Sequence, residues 1–356
     1  MLVEKVPAHA PGLGYFARFE DAFASAGESV GWVERDLSIG GRRVRLRFAG
    51  EALVDAITPA LAHVLADRQG EPGAVIGLWD SASTGVAVPA FSWDAPKGDE
   101  PTEVRYNGER LTAVYNTDPR SGARVLSMFD AQSRATVVWC NDHGRLPWYE
   151  RAAPLRSSLN WSLAGPRRHF AHGAVVSVDG DGVLLAGRKG SGKSTTALAC
   201  IEAGLGYIGD DYVLLSMDGE PEAHSLYCTA KVNADSLSLV PGIARAASTT
   251  DVGLNEKIVL DLRGHRPRQL RTRAHIRALL VPRVTGGDGP TLRRASPAEG
   301  LRALAPSTIY QLPSSRGAAL RPMADLARTV PTYVLELGGN ALETPVLISD
   351  LLRRLA

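Results

Sequence analysis

Short runs of alternating apolar and polar residues mark strands along the first 140 positions. Arg42–Phe48 (RRVRLRF) alternates with a period of two, as a half-buried strand does. Glu51–Leu65 changes to helical spacing and is broken by Pro59, which lacks the amide a helix interior uses. Ala74–Trp79 reads as a strand and is followed by a turn-rich stretch, Asp80–Pro101. Glu103–Tyr106, Leu111–Tyr115, Val125–Phe129 and Thr136–Trp139 alternate again, and Asn107-Gly108 between the first two is a hairpin signal. Residues 1–146 are therefore expected to form an α+β domain with a mostly antiparallel sheet.

Asn141–Pro147 is a polar, turn-rich connection. Trp148, Ala152, Leu155, Leu159 and Leu163 then recur at helical spacing and predict a bridging helix within 147–166. A second domain is expected over 167–356. It opens with strands Ala174–Val178 and Val183–Ala186, a glycine loop, helix Ser194–Ala203, and strands Tyr207–Ile208 and Tyr212–Ser216. Further strands are predicted at His224–Leu226, Ile258–Leu262 and Ala278–Val281, with helices at Pro297–Leu304 and Thr344–Leu355. No internal repeat interrupts this order.

The 356 residues suffice for two ordinary domains. At 44% hydrophobic and 22% charged, the composition excludes a disordered, collagen-like or coiled-coil chain. No apolar run approaches the ~20 residues of a bilayer span. Met1–Tyr15 lacks the continuous apolar core of a signal peptide. Cys140, Cys200 and Cys228 have no C-x-x-C spacing and fit a reducing compartment. The expected location is the cytoplasm, with no membrane partner.

The net charge of +2 hides an asymmetry: 17 basic against 20 acidic residues in 1–165, and 23 against 18 thereafter. Nine arginines from Arg263 to Arg294 face one acid, Asp288. They read as a solvated face, or as a landing surface for an acidic peptide or phosphates. Nucleic acid is disfavoured as a partner, because no reading motif or interleaved aromatics accompany them. The chain has 34 arginines and six lysines, and four of those lysines (Lys189, Lys193, Lys231, Lys257) lie between 189 and 257. In an arginine-rich chain a retained lysine marks a need for a compact ammonium.

Gly187–Ser194 (GRKGSGKS) satisfies G-x-x-x-x-G-K-[ST], with an apolar strand before it and a helix after. Glycines let backbone amides converge on phosphate oxygens, and the helix amino terminus adds positive charge. Gly187, Gly190, Ser191, Gly192, Lys193, Ser194 and Thr195 are the expected nucleotide-binding residues. Lys193 would neutralise the β/γ-phosphates and the Ser194 hydroxyl would ligate magnesium. Asp210-Asp211 follows a short strand after the loop's helix. Adjacent carboxylates repel unless a cation or a shared proton relieves them, so one could hold metal while the other accepts a proton. Lys257 is set with the catalytic residues as a cation reaching the γ-phosphate. Lys231, after a predicted strand, reads as an ordinary exposed lysine or as a second such cation, and Arg188 and Lys189 stay outside the catalytic set.

The run from His172 to Asp211 (HGAVVSVDGDGVLLAGRKGSGKSTTALACIEAGLGYIGDD) resembles the catalytic core of bacterial HPr kinase/phosphorylase in order and separations. That family shares a superfamily with ATP-dependent phosphoenolpyruvate carboxykinase. The resemblance implies an α/β P-loop kinase domain of that type with a mixed sheet, preceded by the α+β amino-terminal domain. It implies that His172 sits beside the acid pair and tunes it. Asp210 would then be the base and Asp211 the metal-side acid, with ATP and Mg2+ as cofactors. Thr195 stands where the family usually has glutamate, and residues 1–165 do not resemble its amino-terminal domain.

The whole chain is similar to HPr-kinase-like proteins encoded with ribosomally made peptide clusters, among them serine kinases tailoring lasso-peptide precursors. Leu78–Gly85, His224–Lys231 and Ala305–Thr308 carry that likeness. It implies a kinase acting on a serine of a peptide or small protein, with 1–146 available for substrate recognition. A small-molecule alcohol kinase and a nucleotide-sensing module without transfer are the alternatives. A homo-oligomer stays open.

Overall fold

The computed structural model describes residues 12–91, 102–106, 110–244, 257–312, 316–338 and 340–356. The chain divides into two compact units, one of residues 1–59 and 65–162, the other of 60–64 and 163–356.

The first unit holds an eight-stranded sheet. Its strands are β1 (Trp32–Ile39), β2 (Arg42–Ala49), β3 (Leu65–Ala66), β4 (Ala74–Asp80), β5 (Thr102–Tyr106), β6 (Leu111–Asp118), β7 (Ala123–Asp130) and β8 (Ala135–Cys140). The order is β3-β1-β2-β4-β8-β7-β6-β5. Neighbours are antiparallel except around β4, which runs parallel to both β2 and β8. The α+β, mostly antiparallel expectation holds, and the Asn107-Gly108 turn lies outside the described residues. Pro59 does break the predicted helix, into Val54–Ile57 and a 3-10 turn, Pro59–Val64.

One long element went unpredicted, the helix Leu13–Val30. It buries Tyr15, Phe16, Phe19 and Ala26 against the sheet's Trp79 and Trp139, and the Phe19 and Trp79 rings lie 4.7 Å apart. Gly77 makes room for it: a Cβ there would come within 2.5 Å of the Phe23 ring. The single helix expected over 147–166 is instead two, Trp148–Ala152 and Arg156–Leu163. Pro154 has no amide to give, and Leu155 turns left-handed at φ 58°.

The second unit contains β9 (Arg168–His172), β10 (Ala174–Val178), β11 (Asp181–Leu185), β12 (Gly206–Gly209), β13 (Tyr212–Ser216), β14 (Glu222–Ser225), β15 (Thr229–Val232), β16 (Ile258–Asp261), β17 (Arg273–Val284), β18 (Thr291–Ala295) and β19 (Thr332–Leu337). The main sheet runs β12-β10-β11-β17-β14-β13-β9, with β19 added to β17 and β18 to β19, while β15 and β16 pair separately. β11 is parallel to β17 and β17 to β19; the other pairings are antiparallel, giving the mixed sheet expected.

Alternate residues of β11 serve opposite faces, as the pleat requires. Leu184 joins a core closed by the helices Pro297–Gln311 and Arg316–Thr329, through Leu304, Met323 and Leu326. Val183 and Leu185 join a second core closed by Lys193–Glu202 and Thr344–Leu355, through Ala197, Ile348 and Leu351. Helices on both faces make this unit α/β. No helix among the described residues is long and apolar enough to cross a membrane.

Candidate active site

β11 delivers the chain into the glycine loop, and the Ala186 amide still donates to Leu280 of β17 at 2.8 Å. Gly190 and Gly192 take left-handed conformations at φ 81° and 101°, which side-chain-bearing residues rarely adopt. At Gly192 a Cβ would also stand 2.3 Å from Leu337 of β19, and at Gly187 one would crowd Ser191 Oγ at 2.7 Å. Lys193 opens the helix and is 7% exposed, its Nζ donating to the carbonyls of Gly187 (2.6 Å) and Arg188 (3.2 Å). Burial lowers its proton affinity, and the nearby charge of Lys257 acts in the same sense. Among the described residues Ser191 Oγ is buried without a hydrogen-bond partner, an orphaned donor inside the loop. Ser194 and Thr195 follow in the first helical turn, half-buried.

β10 is antiparallel to both β11 and β12, so β11 and β12 point the same way. The acid pair after β12 thus emerges at the same end of the sheet as the loop. Asp210 is 3% exposed. Burial, then the Asp211 charge, pushes its carboxyl up to about 7, against the pull of Lys257 and Lys231. Its carboxylate accepts from the Lys231 amide at 3.3 Å. Asp211 feels the same burial, but the Lys231 ammonium, His172 and Lys257 outweigh it and hold this carboxyl well below its ordinary value. Lys231 Nζ stands 2.7 Å from Asp211 Oδ2. Two adjacent acids are thereby driven apart in proton affinity.

His172 ends β9 and lies across from Tyr212 in the β9–β13 register. Its Nε2 is 3.8 Å from Asp211 Oδ1 and 3.2 Å from the Gln311 amide nitrogen. That ring nitrogen thus faces both the Gln311 amide and the Asp211 carboxylate, and the tautomer sets which of them it serves. Burial favours the neutral ring by lowering its pKa, against the pull of Asp211. Gln311 in turn accepts from the Tyr212 hydroxyl, and the His172 amide donates to Thr308 Oγ1 at 2.9 Å.

The structure therefore brings His172, Lys193, Asp210 and Asp211 into one buried cluster, with Lys257 close enough for its charge to act on all four. Lys231 is corrected: it is buried, not exposed, because β15 turns it into the acid pair. Its retention as lysine was the one available signal. Nothing in the sequence pointed to Gln311. Of the weaker segments, His224–Lys231 ends on Lys231 and Ala305–Thr308 brings Thr308 to His172. Leu78–Gly85 lies in the first unit, where Asp80 caps the short helix Ser81–Thr84. The arginine run divides. Arg277 bonds Asp181 (2.6 Å) and Glu220 (3.2 Å), and Arg273 lies 3.5 Å from Glu222, whereas Arg283 sits at the opposite end of β17.

These residues fit a nucleoside triphosphate with magnesium. The loop offers a cradle that side chains would fill, an orphaned hydroxyl and a buried ammonium. No group of three or more His, Cys, Asp or Glu among the described residues forms a metal cage. Magnesium carried by phosphates needs only one or two carboxylates, and Asp211, Asp210 and the Ser194 hydroxyl are the groups at hand.

Residues 165–243 match the family model of the HPr Serine kinase C-terminal domain. The HPr kinase/phosphorylase of Chlorobium phaeobacteroides is 48% identical over 62 residues, covering 17% of this chain and 18% of that protein. Its counterpart in Chlorobium limicola is 51% identical over 49 residues, covering 14% of this chain and 15% of that protein. The aligned part is thus under a fifth of these relatives' length. The solved structure of the Hpr(Ser) kinase/phosphatase from Coxiella burnetii aligns over 52% of this chain and 95% of its own, with 14% identity and a TM-score of 0.29.

Proposed function

From a chain that is HPr kinase-like over residues 165–243, we propose an ATP- and magnesium-dependent kinase that phosphorylates a serine hydroxyl of a peptide or small protein. The loop amides and Lys193 hold the β- and γ-phosphates. Magnesium supplies charge neutralisation at the phosphates, and Asp211 with Ser194 would hold it. Asp210 takes the proton of the incoming hydroxyl as the new O–P bond forms, and the bond from the γ-phosphorus to the ADP oxygen breaks. Lys257 offsets negative charge developing on the transferred group. His172, seated beside Gln311, faces Asp211 and tunes the acid pair.

The observation that carries this reading is the split acid pair. A base is most useful with a pKa near the working pH; burial and the Asp211 charge push Asp210 up to about 7, while the Lys231 ammonium beside its neighbour favours the ionised form there. A ribosomally made precursor peptide of the lasso type is the finer form of the acceptor, supported by the likeness that Leu78–Gly85, His224–Lys231 and Ala305–Thr308 carry. Intact-mass analysis tests it, with ATP, magnesium and one acceptor at a time: a serine-bearing precursor peptide, an HPr-type protein, and a panel of small alcohols. A gain of one phosphoryl group on the peptide, lost in Asp210→Asn while nucleotide binding persists, is expected. Transfer by Asp210→Asn at the wild-type rate would remove the base, and product only with small alcohols would move the acceptor class.

A further inference from the structure

The carboxyl ends of β12, β11 and β17 lie at one end of the sheet and in that lateral order, with β10 between the first two. The acid pair follows β12, the glycine loop follows β11, and β17 ends beyond the loop at Val284. The loop thus separates the acids from whatever β17 presents. On the β17 side opens a cleft of about 680 Å³ that takes Gly187, Arg188, Gly190 and Ser191 of the loop as part of its lining. Apolar Val281, Pro282 and Ala303 line it together with three guanidinium groups, those of Arg188, Arg283 and Arg302. Among the described residues the one acid in the lining, Glu299, is engaged elsewhere. It accepts from the Ser296 amide at 3.0 Å in a capping box and lies 3.7 Å from Arg293.

A triphosphate whose terminal group meets Asp210 and whose chain follows the loop must carry its sugar and base away from β12. Along the sheet, that direction is toward β17 and the cleft beside the loop. We propose that this cleft is the seat of the nucleoside end of the phosphoryl donor. The base lies on the apolar lining, and the guanidinium planes of Arg188 and Arg302 stack against it. Arginine suits this because its planar, weakly hydrated cation packs on π faces while its edges still reach phosphate oxygens. Gly187 and Arg188, whose carbonyls accept from Lys193, are also among the residues lining the cleft, so the seat adjoins the phosphate loop directly. The seat rests on the kinase reading above and adds Arg283, Arg302 and the apolar lining, which lie outside the phosphate motif.

Calorimetry on the full chain separates the two claims. The probes are magnesium with the non-hydrolysable ATP analogue bearing a β,γ-imido bridge, and inorganic tripolyphosphate. Lys193→Ala is expected to lose both, which tests the loop. Arg302→Ala, and Ala303→Trp placed to fill the cleft, are expected to weaken the nucleotide about tenfold and to leave tripolyphosphate within about twofold of wild type. Retained tripolyphosphate binding also shows that these variants are folded. Nucleotide affinity within about twofold of wild type in both cleft variants, or an equal loss for both probes, would overturn the seat and leave the loop reading standing. A cleft variant that leaves nucleotide binding intact but weakens an acidic acceptor would overturn it too, assigning the arginines to the acceptor.

Discussion

Both units bury aspartates, and they treat them differently. In the first, Asp36 is gripped by Arg45 at 2.8 Å and Arg43 at 2.6 Å, and Asp130 by Arg110 at 2.9 Å with the Gln132 amide behind it. Hydrogen bonds from those guanidinium groups, Arg45 and Arg110 foremost, hold both carboxyls below the ordinary range. In the second unit two aspartates share one pocket with lysines and a neutral histidine. One is depressed, while the other is pushed up to about 7. An arginine fork satisfies both oxygens of a carboxylate; a lysine is a point charge that must be divided. The first arrangement finishes the electrostatics and builds a fold. The second leaves a carboxyl poised between two states, the condition under which a side chain can move a proton.

The sharpest way to break this contrast is to neutralise the poised acid. Asp210→Asn should lower phosphoryl transfer by about 10²–10⁴, the range of a general base, in a product assay at saturating nucleotide. It should also stabilise the protein. An acid whose folded pKa lies above its unfolded one binds more protons when folded, so its contribution to stability is lost as pH rises from about 4 to about 7. The melting temperature of Asp210→Asn should therefore exceed wild type by more at pH 8 than at pH 5. An equal difference at both would mean that Asp210 is not frustrated in the native state.

Lys231→Met comes next. Removing one partner of a buried pair leaves the other uncompensated, at a cost of about 3–5 kcal/mol, readable by urea denaturation. Arg45→Met in the first unit should also destabilise, yet leave the turnover of the remaining folded protein unchanged. Comparable loss of turnover in both variants would erase the distinction between the units.

The pH profile sharpens the comparison further. kcat/KM should rise with pH through a midpoint near 7, because Asp210 acts as base only when deprotonated. In Lys231→Met the midpoint should move upward, since the Lys231 charge lowers that pKa. A midpoint unmoved by the loss of Lys231 would detach the lysine from the acid. The smallest effect is expected for Thr308→Val, which leaves the buried His172 amide without an acceptor. It should cost about 1–2 kcal/mol and slow transfer a few-fold.

Much of the site was legible because its chemistry is local. The glycine loop, the acid pair and His172 lie within forty consecutive residues, and the left-handed conformations at Gly190 and Gly192 are what the motif's glycines are for. Lys231 and Gln311 were not legible as site residues because only the tertiary fold, β15 in one case and the helix Pro297–Gln311 in the other, carries them to Asp211 and His172. The fold shows the same divide. Strands with clear alternation appeared near their expected positions, while β17 was recognised over only four of its twelve residues, since its exposed arginines at both ends obscure the pattern. The helix Leu13–Val30 is a different miss. Tyr15, Phe16, Phe19, Phe23 and Ala26 carry a readable helical stripe within a stretch that has no targeting-segment pattern.

The strand that buttresses the glycine loop on its far side comes late in the chain. β11 needs β17 about ninety residues on, β17 needs β19, and the tight wall at Gly192 is Leu337 itself. Pairings of such sequence separation form slowly, because the intervening chain must be gathered first. During synthesis the ribosome will have delivered every letter of the phosphate motif long before the wall that shapes it. A nascent chain halted short of Leu337 would carry the signature of a nucleotide site and no means of closing it.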